Sequence, residues 1–152
     1  MADLLLRDFC PDDLEAAFAL DQACFEPHIA YTRGQIRAFL QRPGAVALVA
    51  EEEGSLAGFA IGHAAGARGH VVTIDVARTH RRRRIGERLL EDLLGRLATL
   101  GARQVRLEVD LRNEAAIRFY RRMGFREKRP LPDYYGRGLD GLRMIREVAS
   151  GR

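Results

Sequence analysis

At 152 residues, with 47% hydrophobic and 30% charged side chains, the chain has the size and balance of one soluble globular domain. No apolar run approaches the roughly 20 residues of a membrane-spanning helix. The start, Met1-Ala2-Asp3-Leu4, has no basic segment ahead of an apolar stretch, so a cytoplasmic protein with no membrane partner is expected. The net charge of +4 rests almost wholly on arginine, with Lys128 the single lysine, a skew that reads as codon usage and by itself selects no partner.

Leu4 to Arg7 is apolar enough for a first strand, ended by Asp8 and Pro11. A helix is predicted over residues 11–24, with Pro11 at its first position, acids in its first turn, and Leu14, Ala17 and Phe18 on one face. Cys10 and Cys24 lie in or beside it without CxxC spacing, so they are expected to be buried free thiols, with no metal site. Residues 26–31 form a loop, and Thr32 with Gln35 three residues on makes a capping box for a second helix that Pro43-Gly44 stops. Ala45 to Ala50 and Leu56 to His63 read as a hairpin, and residues 70–76 as an interior strand rich in β-branched side chains.

Apolar residues at 85, 89, 90, 93, 94, 97 and 100 hold helical spacing up to Gly101. Gln104 to Asp110 alternates as a strand with Glu108 opposite its apolar face, and Asn113 caps a helix running to Met123. Residues 125–129 and 142–148 close the pattern as strands, joined by a loop containing Tyr134 and Tyr135. The expected class is α/β (α+β): one domain with a central mixed, mostly antiparallel sheet of about six or seven strands flanked by about four helices.

Chemistry concentrates where the strand ending Ile74-Asp75-Val76 runs through Arg81-Arg82-Arg83-Arg84-Ile85-Gly86 into the longest helix. Unpaired N–H groups at a helix start, the helix dipole and several guanidiniums converge there, as a diphosphate requires. Gly86 lets a ligand approach the backbone. Elsewhere four arginines in a row would read as a solvated turn.

This block resembles the R/Q-x-x-G-x-G/A motif of the GNAT superfamily, and Asn113-Glu114-Ala115-Ala116-Ile117-Arg118-Phe119-Tyr120 up to Gly124-Phe125 is similar to its N-x-x-A-I-x-x-Y-x-x-x-G-F signature. The likeness covers most of residues 45–148 and is nearest the branch that acetylates protein N-termini, including ribosomal-protein alanine acetyltransferases. It departs at Arg84, which stands where the motif has its first glycine.

The resemblance implies acetyl-CoA as co-substrate and no metal. It implies that Ile74, Asp75 and Val76, through their strand backbone, together with Arg81, Arg82, Arg83, Arg84, Ile85, Gly86, Asn113 and Tyr120, bind the co-substrate, that Tyr120 is the general acid, and that Glu108 is the base, with His70 a second candidate. Tyr31, Tyr134 and Tyr135, in predicted loops, would shape the acceptor cleft. The expected acceptor is a primary amine, foremost a protein N-terminus; a small amine or a lysine side chain stays open. So do a non-catalytic basic module for nucleic acid, which is the less expected partner, and a non-turning acetyl-CoA sensor. The oligomeric state is left as monomer or homodimer.

Overall fold

A computed structural model of the chain describes residues 3–80 and 84–149. In chain order its elements are β1 (Leu4–Asp8), α1 (Leu14–Cys24), α2 (Arg33–Gln41), β2 (Ala45–Glu52), β3 (Ser55–Ala65), β4 (Arg68–Val76), α3 (Ile85–Thr99), β5 (Gln104–Asp110), α4 (Glu114–Arg122), β6 (Arg126–Gly136) and β7 (Leu139–Glu147). A 3-10 turn at Pro11–Asp13 leads into α1. The expected capping box forms at α2: Gln35 N–H donates to Thr32 Oγ1 at 3.0 Å and Thr32 N–H to Gln35 Oε1 at 2.8 Å.

The strands make one seven-stranded sheet, ordered β1-β2-β3-β4-β5-β7-β6. Its pairs are antiparallel except β4 with β5. This is the mixed, mostly antiparallel α/β architecture that the residue pattern leads one to expect. The difference lies at the end, where the predicted loop with Tyr134 and Tyr135 is strand. β6 runs through to Gly136 and turns into β7 across Arg137-Gly138. Pro130 and Pro132 argue for a loop in a central strand, but β6 is an edge strand, where a missing N–H costs no ladder bond.

Each face of the sheet has its own core. One is built by α3, whose Leu89, Leu90, Leu93 and Leu97 are fully buried, together with Ile117 and Phe125. The other lies under α1 and α2, around Ala17, Ile36, Val49, Phe59 and Ile61. α3 seats closely because β3 has glycine beneath it. A Cβ on Gly58 would lie 2.7 Å from the Asp75 carbonyl oxygen and 3.2 Å from Leu89 Cδ1.

Two irregularities in β4 position the site. The β3–β4 register passes from Gly62↔Val71 to Ile61↔Thr73, leaving Val72 as the extra residue of a bulge. A one-residue insertion turns the alternation over. Val71 therefore packs with the α3 core before the bulge and Ile74 and Val76 pack with it after, while Val72 joins the α1–α2 core. Secondly, β4 and β5 pair only over Arg68–His70 with Gln104–Arg106. Beyond that point the two strands separate, and a cleft opens between them.

Candidate active site

The cleft holds about 1190 Å³. One wall is β4 (Thr73, Ile74, Val76), the other is β5 with the start of α4 (Glu108, Val109, Asp110, Asn113), and the two ends differ in charge. Arg84, Arg118, Arg122 and His80 line one end, with Gly86 and the first turn of α3. Glu26, Glu108 and Asp110, with Arg112 between Glu26 and Asp110, and the rings of Phe25, Tyr31 and Tyr135 line the other. Parallel strands that part in this way leave backbone donors and acceptors on facing edges without ladder partners, which an extended amide-bearing ligand can use.

At the cationic end, α3 begins at Arg84, which takes the left-handed conformation (φ 61°, ψ 19°) and gives no side-chain cap. Its carbonyl accepts the first helical bond, from Arg88 N–H at 3.0 Å. The leading amides of a 15-residue helix are thus left to the cleft, with the positive end of the dipole behind them. That uncapped helix mouth is the fit to the coenzyme diphosphate. The departure at Arg84 is absorbed: its backbone adopts the conformation a glycine would take, and its side chain, 84% exposed, turns toward Glu87 at 4.0 Å. A Cβ on Gly86 would meet Phe119 Cζ and Val76 Cγ2 at 3.5 Å, ordinary contact, so the protein itself does not demand glycine there. Its absence of side chain keeps the cleft wall open. Arg81, Arg82 and Arg83 lie outside the described residues.

At the acidic end, Glu108 projects from β5 away from the α3 core, and its side chain is only 7% exposed. Burial pushes its pKa up, but the contacts with His70 and Arg143 outweigh that and hold it below the usual carboxylate value. His70 Nε2 lies 2.7 Å from Oε1, and Arg143 Nε donates to Oε2 at 3.1 Å, with Arg106 Nε at 3.6 Å. Glu108 is therefore a fixed, ionised carboxylate. His70 does not line the cleft; it backs Glu108 and packs edge-on against His63, ring centroids 5.4 Å apart.

Tyr31 is set in its loop from both sides of its peptide: its N–H donates to Asp21 Oδ2 at 2.7 Å and its carbonyl accepts from Gln22 Nε2 at 2.8 Å. Its phenol donates to the Val72 carbonyl at 3.4 Å. Tyr120 lines the cleft between the two ends, with Phe119 and Phe125 packed edge-on at 5.2 and 5.8 Å. Burial, then the charge of Asp75 and the nearby Tyr31, push the Tyr120 phenol well above the usual tyrosine range. It is a proton donor at neutral pH. Asn113 caps α4 through Oδ1, which accepts Ala116 N–H at 3.1 Å, and lines the cleft.

Asp75 is 1% exposed, and its carboxylate accepts a hydrogen bond from Thr73 Oγ1, so its backbone, the part expected to face the coenzyme, is what it leaves at the strand edge, whereas Ile74 and Val76 also present side chains. The bulge at Val72 causes this. Tyr135 lines the cleft, and Tyr134, 48% exposed, packs edge-on against Tyr135 at 4.9 Å and over Gly141, with its phenol beside Glu108. Both stand on β6 rather than in a loop. The thiols are not buried: Cys10 is exposed, and Cys24 is half-buried at the cleft wall, within 3.7 Å of the Val76 carbonyl.

Sequence reasoning missed Arg112, Arg118 and Arg122. Arg112 donates to Asp110 Oδ2 at 2.7 Å and to Glu26 Oε2 at 3.0 Å, tying the loop after α1 to the loop before α4. Arg118 and Arg122 are one helical turn apart, a spacing visible in the chain, but which face of α4 meets the cleft is not.

Comparison with known proteins agrees with this geometry. Residues 12–125 match the acetyltransferase (GNAT) family model. The chain is 30% identical over 150 residues to an uncharacterised N-acetyltransferase of Methanocaldococcus jannaschii, covering 98% of this chain and 95% of that protein. It is 38% identical over 78 residues to an N-alpha-acetyltransferase of Sulfurisphaera tokodaii, spanning 51% of this chain and about half (47%) of that relative. Among solved structures, Ard1 of Thermoplasma volcanium superposes with a TM-score of 0.87 at 28% identity, over 95% of this chain and 97% of that one.

Proposed function

The chain belongs to the acetyltransferase (GNAT) family and is an acetyl-CoA-dependent acyltransferase; on that premise we propose that its acceptor is the α-amine of a protein or peptide N-terminus. The observation that carries this reading is Glu108, an ionised carboxylate held in the cleft wall near the rings of Tyr31 and Tyr135. The helix mouth suits the anionic coenzyme, and the Glu108 carboxylate suits the amine of the acceptor, while Glu26 and Asp110 are held by Arg112. The N-alpha-acetyltransferase relative supports the same acceptor.

Acetyl-CoA, when bound, supplies an acyl thioester. The amides at the start of α3 and the edges of β4 and β5 would hold it, with Asn113 beside them. An α-amine has a pKa near 8, so part of it is already neutral at physiological pH and a strong base is not required. Glu108, clamped by His70 and Arg143, draws the ammonium to the acidic end and receives its proton. Tyr120 keeps its proton through burial and donates it from Oη at the sulfur end.

The test measures coenzyme thiol release with three acceptors: peptides bearing a free N-terminus, N-blocked peptides bearing lysine, and spermidine. Turnover confined to free N-termini is expected; faster turnover of lysine or spermidine overturns the acceptor assignment. Tyr120→Phe should lower turnover by about 10²-fold or more, leaving acetyl-CoA affinity within about twofold. Unchanged turnover removes Tyr120 from the acid role.

A further inference from the structure

Coenzyme A carries two anionic groups, a diphosphate and a phosphomonoester on the adenosine ribose, and the mouth of α3 accounts for the first alone. The α4 wall carries a second cationic site. Arg118 and Arg122 both line the cleft, and both are exposed. Neighbouring arginines are spent within the protein. Arg121 pairs with Glu127, Arg126 with Glu147 at 2.5 Å, and Arg112 with Asp110 and Glu26, while Arg146 donates to the Met123 carbonyl at 2.8 Å. Among the described residues no carboxylate forms an ion pair with Arg118 or Arg122.

Two guanidiniums one turn apart repel each other and destabilise the helix slightly, a cost that an anion between them removes. Phe119, in the middle of the pair, joins this face to the first site. Its ring comes within 3.5 Å of where a Cβ on Gly86 would stand, in the first turn of α3, and the Arg122 guanidinium lies 5.9 Å from its centroid. The unpaired arginines thus flank an aromatic side chain that touches the diphosphate cradle.

We propose that Arg118 and Arg122 bind the ribose 3′-phosphomonoester of coenzyme A, so that α4 selects the phosphorylated coenzyme over its dephosphorylated form. This rests on coenzyme A occupying the cleft. Forked donors on two sides match the dianionic, three-oxygen face of a phosphomonoester better than a diester, which bears one charge.

Calorimetric titration of the whole protein with coenzyme A and with 3′-dephospho-coenzyme A tests this without acetyl transfer. The wild type should prefer coenzyme A by about tenfold, as a charge-assisted pair predicts. The double variant Arg118→Gln/Arg122→Gln should bring the two affinities within about twofold, with the dephosphorylated ligand bound as before. Arg121→Gln, which removes a neighbouring arginine already paired to Glu127, should keep the preference. Equal wild-type affinities, a preference that survives the double variant, or a loss shared by both ligands overturns the proposal while leaving the cleft reading intact. Failure of the wild type to bind either ligand overturns both. If the double variant instead loses binding to a single-stranded oligonucleotide and keeps its coenzyme preference, the pair serves nucleic acid and the proposal is wrong.

Discussion

His63 should make the fold sensitive to mild acid. It is 7% exposed on β3, its Nδ1 has no hydrogen-bond partner, and its ring meets the edge of His70. Burial first, then the charges of Arg42, His70 and Arg106, lower its pKa from 6.5 to about 4. The folded protein keeps this imidazole neutral where the unfolded chain protonates it, so stability falls as pH drops from about 6.5 toward 4. Going from about pH 7.5 to 5.0, linkage with these two pKa values removes about 2 kcal/mol, or ~4–8 °C of Tm for a chain of this size. His63→Phe keeps a ring against His70 and cannot titrate. Urea unfolding of both proteins at the two pH values isolates the effect. Asp13, held near 2 by Arg7, and Glu108 and Asp110, both lowered, titrate at more acid pH and are common to both proteins. The wild type should lose about 2 kcal/mol more than the variant over this interval; equal losses would refute the assignment.

Two substitutions test the backbone. Arg84→Gly should raise stability by about 0.5 kcal/mol, since relief of left-handed strain of ~1–2 kcal/mol exceeds the added chain entropy; Arg84→Ala keeps the strain and should not stabilise, and equal effects in chemical denaturation would show that the φ of 61° carries no cost. Gly58→Ala should destabilise by about 1–3 kcal/mol by forcing α3 off the sheet, and a melting temperature equal to wild type would show that the 2.7 Å approach to the Asp75 carbonyl relaxes freely.

Much of the architecture was legible along the chain because it depends on local periodicity. The leucines of α3, the alternation of β5, the Thr32–Gln35 box and the Asn113 cap each declare themselves within a few residues, and the elements formed where those signals lie. β6 was misread because proline and glycine signal a turn locally, while the tolerance for them comes from the strand's place at the sheet edge. The thiols were misplaced for a similar reason: helical spacing assigns Cys24 a face, but only packing shows that this face borders an open cleft.

The chain by itself determined the ingredients of the site: a basic strand-to-helix junction, a glutamate on the polar side of a strand, and a tyrosine one helix later. Tertiary structure decided how they meet. The short β4–β5 pairing opens the cleft, the bulge at Val72 turns Asp75 inward and Ile74 and Val76 toward the ligand, and the packing of α4 brings Arg118 and Arg122 to one wall and Tyr120 between the ends. Strand divergence and helix docking are set by contacts among residues far apart in the chain, so neither leaves a local periodic signature to read.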